Sequence, residues 1–327
     1  MKYIVCGISF AAGTKEDDSP QLRQYFELGW EVVGSRVDAI SKKNSGILDV
    51  KDTTIVTTKD RMFMYEKIFP NVMSCEQFLE LGKSNPEVRY RSASVDPSLV
   101  EDWPSYRSNT SDKSAASFSF LKQETHCLES GQYVWHERDF QDIFEGYSVD
   151  PQYSEENFSR PCIVMGYRSR SHLSHKNSKD DELRIATALA REGGVDNADI
   201  FVVGNGKEVI EFCSENGFTH VPQLKSFVSI LKNSNCICHV APSTGTTLVS
   251  FHAAKCPIIL VDPHEAAKLD SLNAITGGKP SHFFQSGLTW LKGRRQVNNF
   301  IRNIDVESKK IIGSSAQGSV VSEYRSN

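Results

Sequence analysis

Between residues 161 and 181 the chain reads PCIVMGYRSRSHLSHKNSKDD, an apolar run that empties into Arg168, Arg170, His172, His175, Lys176 and Asn177. Such a mouth suits an anion. Arginine forks meet phosphate oxygens two at a time, and a lysine adds a compact point charge. The alternative is a basic loop that only solvates a face, as isolated charge runs commonly do.

A second stretch with chemical potential is HVAPSTGTTLVSFHAAKCPIILVDP, in which a short apolar strand ends in Pro242, Ser243, Thr244 and Gly245 before an apolar helix. Small residues let backbone approach a ligand closely. The hydroxyls of Ser243, Thr244, Thr246 and Thr247, with free N–H groups at the positive end of the helix, make a second anion site. Serine and threonine before a helix also serve as plain N-caps, so capping alone is the competing explanation.

A third is FVVGNGKEVIEF, where a strand runs through Gly204, Asn205 and Gly206 into a helix. The turn is consistent with nucleotide contact. No third glycine follows at GxGxxG spacing and there is no GxxxxGK[ST] loop, which weakens dehydrogenase and P-loop NTPase readings alike.

These loops need elements to hold them. The pattern predicts strand 162–167, helix 180–191, strand 200–203, helix 206–216, strand 219–221, helix 223–233, strand 236–240, helix 245–254 and strand 257–261. Asp180, Asp181 and Glu182 suit the start of the first helix, and Leu224, Phe227, Val228 and Leu231 form one stripe. Each candidate loop then leaves the carboxyl end of a strand, where open α/β sheets bind ligands, and two of them can converge on one diphosphate.

The earlier part of the chain also alternates, with strands expected at 3–8, 31–33 and 54–58 and helices at 20–28 and 60–69. Pro20 after Ser19 fits a helix start. Residues 83–130 form a polar excursion. The stretch from His136 to Pro161 reads as an interdomain linker, with a boundary near 155. The expected organisation is therefore an α/β domain at 1–155, a second α/β domain at 156–312 and a flexible tail at 313–327.

The C-terminal half resembles the nucleotide-sugar domain of GT-B glycosyltransferases, near the fucosyltransferase-like and viral members. The likeness lies in YRSRSHLSHKNS, GNG, the run LKSFVSILKNSNCICHVAPSTGTT and CPIILV. It implies two Rossmann-like doubly wound domains facing a central cleft. It further implies a nucleotide-sugar donor whose diphosphate is held by Arg168, Arg170, Lys176 and Asn177 on one side, with His175 in support, and by Ser243, Thr244, Gly245 and Thr246 on the other. Gly204 falls on the nucleoside side, and Glu265 stands where such enzymes hold the donor ribose, although it also fits a surface helix. An inverting transfer needs a general base, and GISFAAGTKEDDSPQL offers Glu16, Asp17 and Asp18, with Asp18 nearest the expected helix. The same acids are ordinary helix-start residues.

No metal or other cofactor is expected. His172 and His175 sit in a cationic loop that repels a divalent ion, and no DxD stands at a strand end. The eight cysteines are scattered without CxxC pairing and read as reduced core residues. MKYIVCGISF reads as a strand rather than a signal peptide, and no run approaches the ~20 apolar residues of a membrane span. A cytoplasmic protein is expected, bacterial or in a virus-infected host.

The formal net charge of −4 favours a glycan or small hydroxyl acceptor. DNA as acceptor is the rival, drawing on Arg89, Tyr90, Arg91, Lys292, Arg294 and Arg295 near Trp290. A non-catalytic two-domain protein that binds a phosphorylated ligand is the alternative of a different class.

Overall fold

The computed structural model describes residues 2–6, 8–14, 20–26, 28, 31–32, 36–74, 76–78, 81, 142–143, 145–167, 178–192, 198–204, 206–242, 245–262 and 287–317. The chain divides into two compact units, Met1–Ser148 with Ala274–Gly277, and Val149–Asn273 with Gly278–Asn327. Both are α/β with parallel sheets.

In the first unit, β1 (Lys2–Val5), β4 (Thr53–Thr57) and β5 (Val72–Ser74) pair in parallel, with Ile4 opposite Ile55 and Ile55 opposite Val72. Between β1 and β4 the chain forms an antiparallel hairpin, β2 (Ile8–Thr14) and β3 (Pro20–Phe26), and the helix α1 (Arg36–Asn44). The helix expected at 20–28 is thus a strand. Proline is accepted at the first position of a helix and equally at the first residue of a strand, and here the two seven-residue runs pair from end to end. The strand expected at 31–33 is also corrected, because Glu31 and Val32 lie in a helical turn. The helix expected at 60–69 is a 3-10 helix, Lys59–Met64, followed by a turn in which the Phe69 N–H bonds the Tyr65 carbonyl. Pro70 stops any continuation.

A buried charge holds this unit together. Arg36 is wholly enclosed and donates to the carbonyls of Met64 at 3.0 Å, Ile143 at 2.8 Å and Asp142 at 3.4 Å. Its guanidinium lies 4.0 Å from the centre of the Tyr147 ring. A planar cation with several donors is suited to gathering carbonyls from distant segments.

In the second unit, six strands are all parallel: β6 (Cys162–Gly166), β7 (Asp199–Val203), β8 (Thr219–Val221), β9 (Cys236–Pro242), β10 (Ile258–Asp262) and β11 (Leu288–Lys292). Their order across the sheet is β11-β10-β9-β6-β7-β8. The helices are α2 (Ser178–Glu192), α3 (Lys207–Asn216), α4 (Leu224–Lys232), α5 (Gly245–Ala253), α6 (Gly293–Arg302) and α7 (Ile304–Gln317). One face of the sheet buries Ile163, Met165, Val202, Val240 and Ile259 with Ile185, Leu189 and Phe300 from α2 and α6. Helices α4 and α5 pack on the strands from the other face. Helix α7 runs to Gln317, past the point at which the sequence suggests a flexible tail.

From Asp150 onward, the stretch read as a linker is folded onto this second unit. Asp150 accepts from the Ser226 hydroxyl at 2.7 Å, and its N–H donates to Ser229 at 2.6 Å. Tyr153 and Phe158 stack edgewise with Phe201. Packing of these three rings, two of them buried, outweighs the segment's polar composition.

Candidate functional site

The chain runs outward from β6 to β7 to β8, returns to place β9 beside β6, and then builds outward on the other side through β10 and β11. The reversal between β6 and β9 is a topological switch point, whose carboxyl edge opens into a crevice in doubly wound sheets. The cationic run follows β6 and the Ser-Thr-Gly run follows β9. Two loops 75 residues apart in sequence, counted from Arg168 to Ser243, therefore leave neighbouring strand ends.

Glycines set how tightly those ends meet. A Cβ on Gly166 would sit 3.1 Å from the Ala241 Cβ and 3.2 Å from the Pro242 Cδ. The Tyr167 N–H bonds the Val203 carbonyl at 2.8 Å and carries the β6–β7 ladder one step beyond the strands. A Cβ on Gly204 would come within 3.0 Å of the Tyr167 carbonyl oxygen. Nothing larger than glycine fits these two positions without a shift of the neighbouring chain.

Arg168, Arg170, His172, His175, Lys176, Asn177, Ser243, Thr244 and Glu265 lie outside the described residues, as do Glu16, Asp17 and Asp18. The described strand ends from which their loops leave are β6, β9 and β10, consecutive in the sheet, with the Gly204 turn on β7 next to β6. Gly245 and Thr246 are half-buried in the first turn of α5, at its positive end. The Thr247 hydroxyl donates to the Pro242 carbonyl, so its proton ties β9 to α5 and is not free for an anion. Asp17 and Asp18 join two paired strands, β2 and β3, and not a strand to a helix. A helix-start role for them is therefore removed.

Neighbouring charge is arranged around α2. Asp181 accepts from Arg184 at 3.0 Å and lies 3.7 Å from Arg294, while Lys292 sits 4.4 Å from the Trp290 ring centre. Two of the cations and the aromatic face considered for DNA thus have partners within their own unit. Arg89, Tyr90 and Arg91 are outside the described residues. Among the described residues no three His, Cys, Asp or Glu side chains converge as metal ligands, and no helix is long and apolar enough to cross a membrane.

Two polar features escape the sequence. Glu31, fully buried beside the end of β4, accepts from Thr57, from Tyr65 at 3.0 Å and from Arg61 at 2.8 Å. Burial first, then nearby Cys6 and Glu31, push the Tyr65 phenol well above its ordinary range, so it remains a donor. The other feature is His220 on β8, whose Nε2 lies 2.9 Å from the Gly204 carbonyl. No motif marks either residue, because both depend on pairing between distant segments.

No protein-family model matches this sequence, and no curated protein matches it. Among solved structures, the chain is similar to E. coli ADP-heptose LPS heptosyltransferase II, at 12% identity and a TM-score of 0.48, over 97% of this chain and 100% of that one. It is also similar to E. coli heptosyltransferase WaaC with ADP, at 12% identity and a TM-score of 0.46, over 93% of this chain and 100% of that one. For WaaC with ADP-2-deoxy-2-fluoro heptose the values are 10%, 0.41, 92% and 99%. At these scores no residue of those enzymes is carried over to this chain.

Proposed function

We propose that the protein is a metal-independent glycosyltransferase that moves a sugar from a nucleoside-diphosphate donor to a hydroxyl of a glycan or other small acceptor. The observation that carries this reading is the adjacency of β6 and β9 at the switch point, which brings the origins of the cationic run and the Ser-Thr-Gly run together. Arg168, Arg170, Lys176 and Asn177 would grip one side of the diphosphate, and Ser243, Thr244, Gly245 and Thr246 the other. Gly204 and Glu265 follow the two strands that flank this pair and would serve the nucleoside.

The acceptor hydroxyl attacks the anomeric carbon as the bond from that carbon to the diphosphate oxygen breaks. Charge builds on the leaving diphosphate, and cations fixed around it lower the barrier. Asp18 or Asp17 would take the acceptor proton if the transfer inverts. Activity undiminished by EDTA is expected of metal independence.

Calorimetry with UDP, GDP, ADP and CMP tests the donor site and names the base. One of them binds saturably, and Arg170→Ala or Lys176→Ala abolishes that binding while circular dichroism and the melting temperature stay unchanged. No saturable binding to any of them overturns the assignment. A hydrolysis assay with the matching sugar nucleotide then separates an enzyme from a protein that only binds a phosphorylated ligand.

A further inference from the structure

The end of β7 is held from two sides, and Gly206, just before α3, adopts a backbone conformation reserved for glycine. From β8, His220 reaches the Gly204 carbonyl at 2.9 Å. Because a carbonyl oxygen only accepts, Nε2 carries the proton in this contact. From β6, the Tyr167 carbonyl closes the space in which a side chain at Gly204 would stand. Gly206 then takes φ +112° and ψ 164°, with nothing within 4 Å of where its Cβ would be. Open space there means that packing does not exclude a side chain, whereas the backbone conformation does.

His220 lies opposite Val202 in the sheet and belongs to a strand of only three residues. An exposed strand-end carbonyl can be satisfied by water. Here an imidazole from the neighbouring strand fixes its direction instead, on the strand next to the switch point.

We infer that His220 is a positioning residue for the donor nucleoside: by holding the Gly204 carbonyl it fixes the end of β7 against which base or ribose packs. This rests on the donor-site reading above. A turn already in its bound form gives affinity because less order is lost on binding. Its contribution should therefore appear for the nucleoside and not for the phosphates.

The test measures two affinities by calorimetry, for the nucleotide that binds the wild-type chain and for inorganic pyrophosphate. His220→Phe keeps an aromatic ring of similar size and removes the donor. It should raise the nucleotide Kd about tenfold, the equivalent of one lost hydrogen bond of ~1.4 kcal/mol, and leave pyrophosphate within about twofold. His220→Gln retains an N–H at similar reach and should recover the nucleotide Kd to within about threefold of wild type.

An equal change in both affinities, or a lowered melting temperature with both affinities unchanged, assigns His220 to holding β8 alone and overturns the inference. Failure of His220→Gln to recover nucleotide binding while its melting temperature matches the wild type also overturns it. Should the wild-type chain bind neither probe, the donor site itself is refuted and the role of His220 falls with it, an outcome visible before any variant is made.

Discussion

The two edges of the six-stranded sheet are made of different materials. At the amino edge, Asn233 donates to the carbonyls of Tyr153 and Phe158, both at 3.1 Å, and Asn235 donates to Phe158 at 3.2 Å. The Cys162 N–H bonds the Asn235 carbonyl, and the Cys236 and Cys256 sulfurs lie 3.4 Å apart in the interior. At the carboxyl edge β6 ends in Gly166 and β9 in Pro242, Gly204 follows β7, and a Cβ on either glycine would meet the neighbouring chain at 3.0 to 3.1 Å. At the first edge side-chain amides gather distant segments, whereas at the second two glycines let the neighbouring chain come close, beside the side-chain contacts of Thr247 and His220. On the proposed donor-site reading the first edge serves stability and the second binding, an assignment that substitutions can break.

The largest expected stability effect is at Asn233. Asn233→Leu leaves the Tyr153 and Phe158 carbonyls without this donor and removes the acceptor for the Asn235 N–H at 2.9 Å. A loss of about 3 kcal/mol is expected from several buried bonds broken at once. Denaturant unfolding measures it. If the nucleotide Kd of the folded variant also rises more than about tenfold, equivalent to ~1.4 kcal/mol, the separation of the two edges is wrong.

Midway along β9, His239 gives a pH-dependent test. Its Nδ1 lies 2.7 Å from the Ser250 hydroxyl, which itself donates to the Thr246 carbonyl at 3.0 Å. With the Ser250 proton so engaged, Nδ1 is the donor and Nε2 keeps a bare lone pair, with no partner among the described residues. Protonation would place an unpaired N–H and a charge in the interior, and burial lowers the pKa from 6.5 to about 3. In the unfolded chain the ring takes up its proton near pH 6.5, while the folded chain resists until about 3. The stability from neutral His239 is thus present above pH 6.5 and declines as pH falls toward 3, at about 1.4 kcal/mol per pH unit. His239→Leu should reduce that slope by one proton in unfolding curves taken across the window. An unchanged slope would show that other groups produce the acid sensitivity.

Much of the second unit is legible in sequence because its elements carry strong local signals. CIVMG and CICHVAP are compact apolar strands, and LKSFVSILK presents a continuous stripe. The last strand and two helices were not legible: LTWLK is short and GRRQVNNFIR opens on charge, so neither advertises the side it buries. In the first unit Pro20 suits a strand as well as a helix, and only pairing with residues 8–14 decides between them. For the site, the sequence shows which loops carry cations and hydroxyls. It does not show that β6 and β9 are neighbours, because that pairing crosses two intervening strands and depends on the whole sheet. The His220 contact is hidden for the same reason.

The smallest expected stability effect, and the sharpest test of the carboxyl edge, is Gly166→Ala. The added methyl would meet the Ala241 Cβ at 3.1 Å and the Pro242 Cδ at 3.2 Å, contacts that need shifts of a few tenths of an ångström. Overpacking on that scale costs about 1 kcal/mol, so the variant should fold with a modestly lowered melting temperature. The displaced atoms nevertheless stand where β6 and β9 release the two loops proposed to hold the diphosphate. Spreading those ends should weaken pyrophosphate and nucleotide binding together by about tenfold, if both loops hold phosphate as proposed. His220→Phe is expected to separate the same two probes. Equal losses from Gly166→Ala beside unequal losses from His220→Phe would divide the carboxyl edge into a phosphate part between β6 and β9 and a nucleoside part beyond β7. Unchanged binding in Gly166→Ala would detach the diphosphate from the switch point.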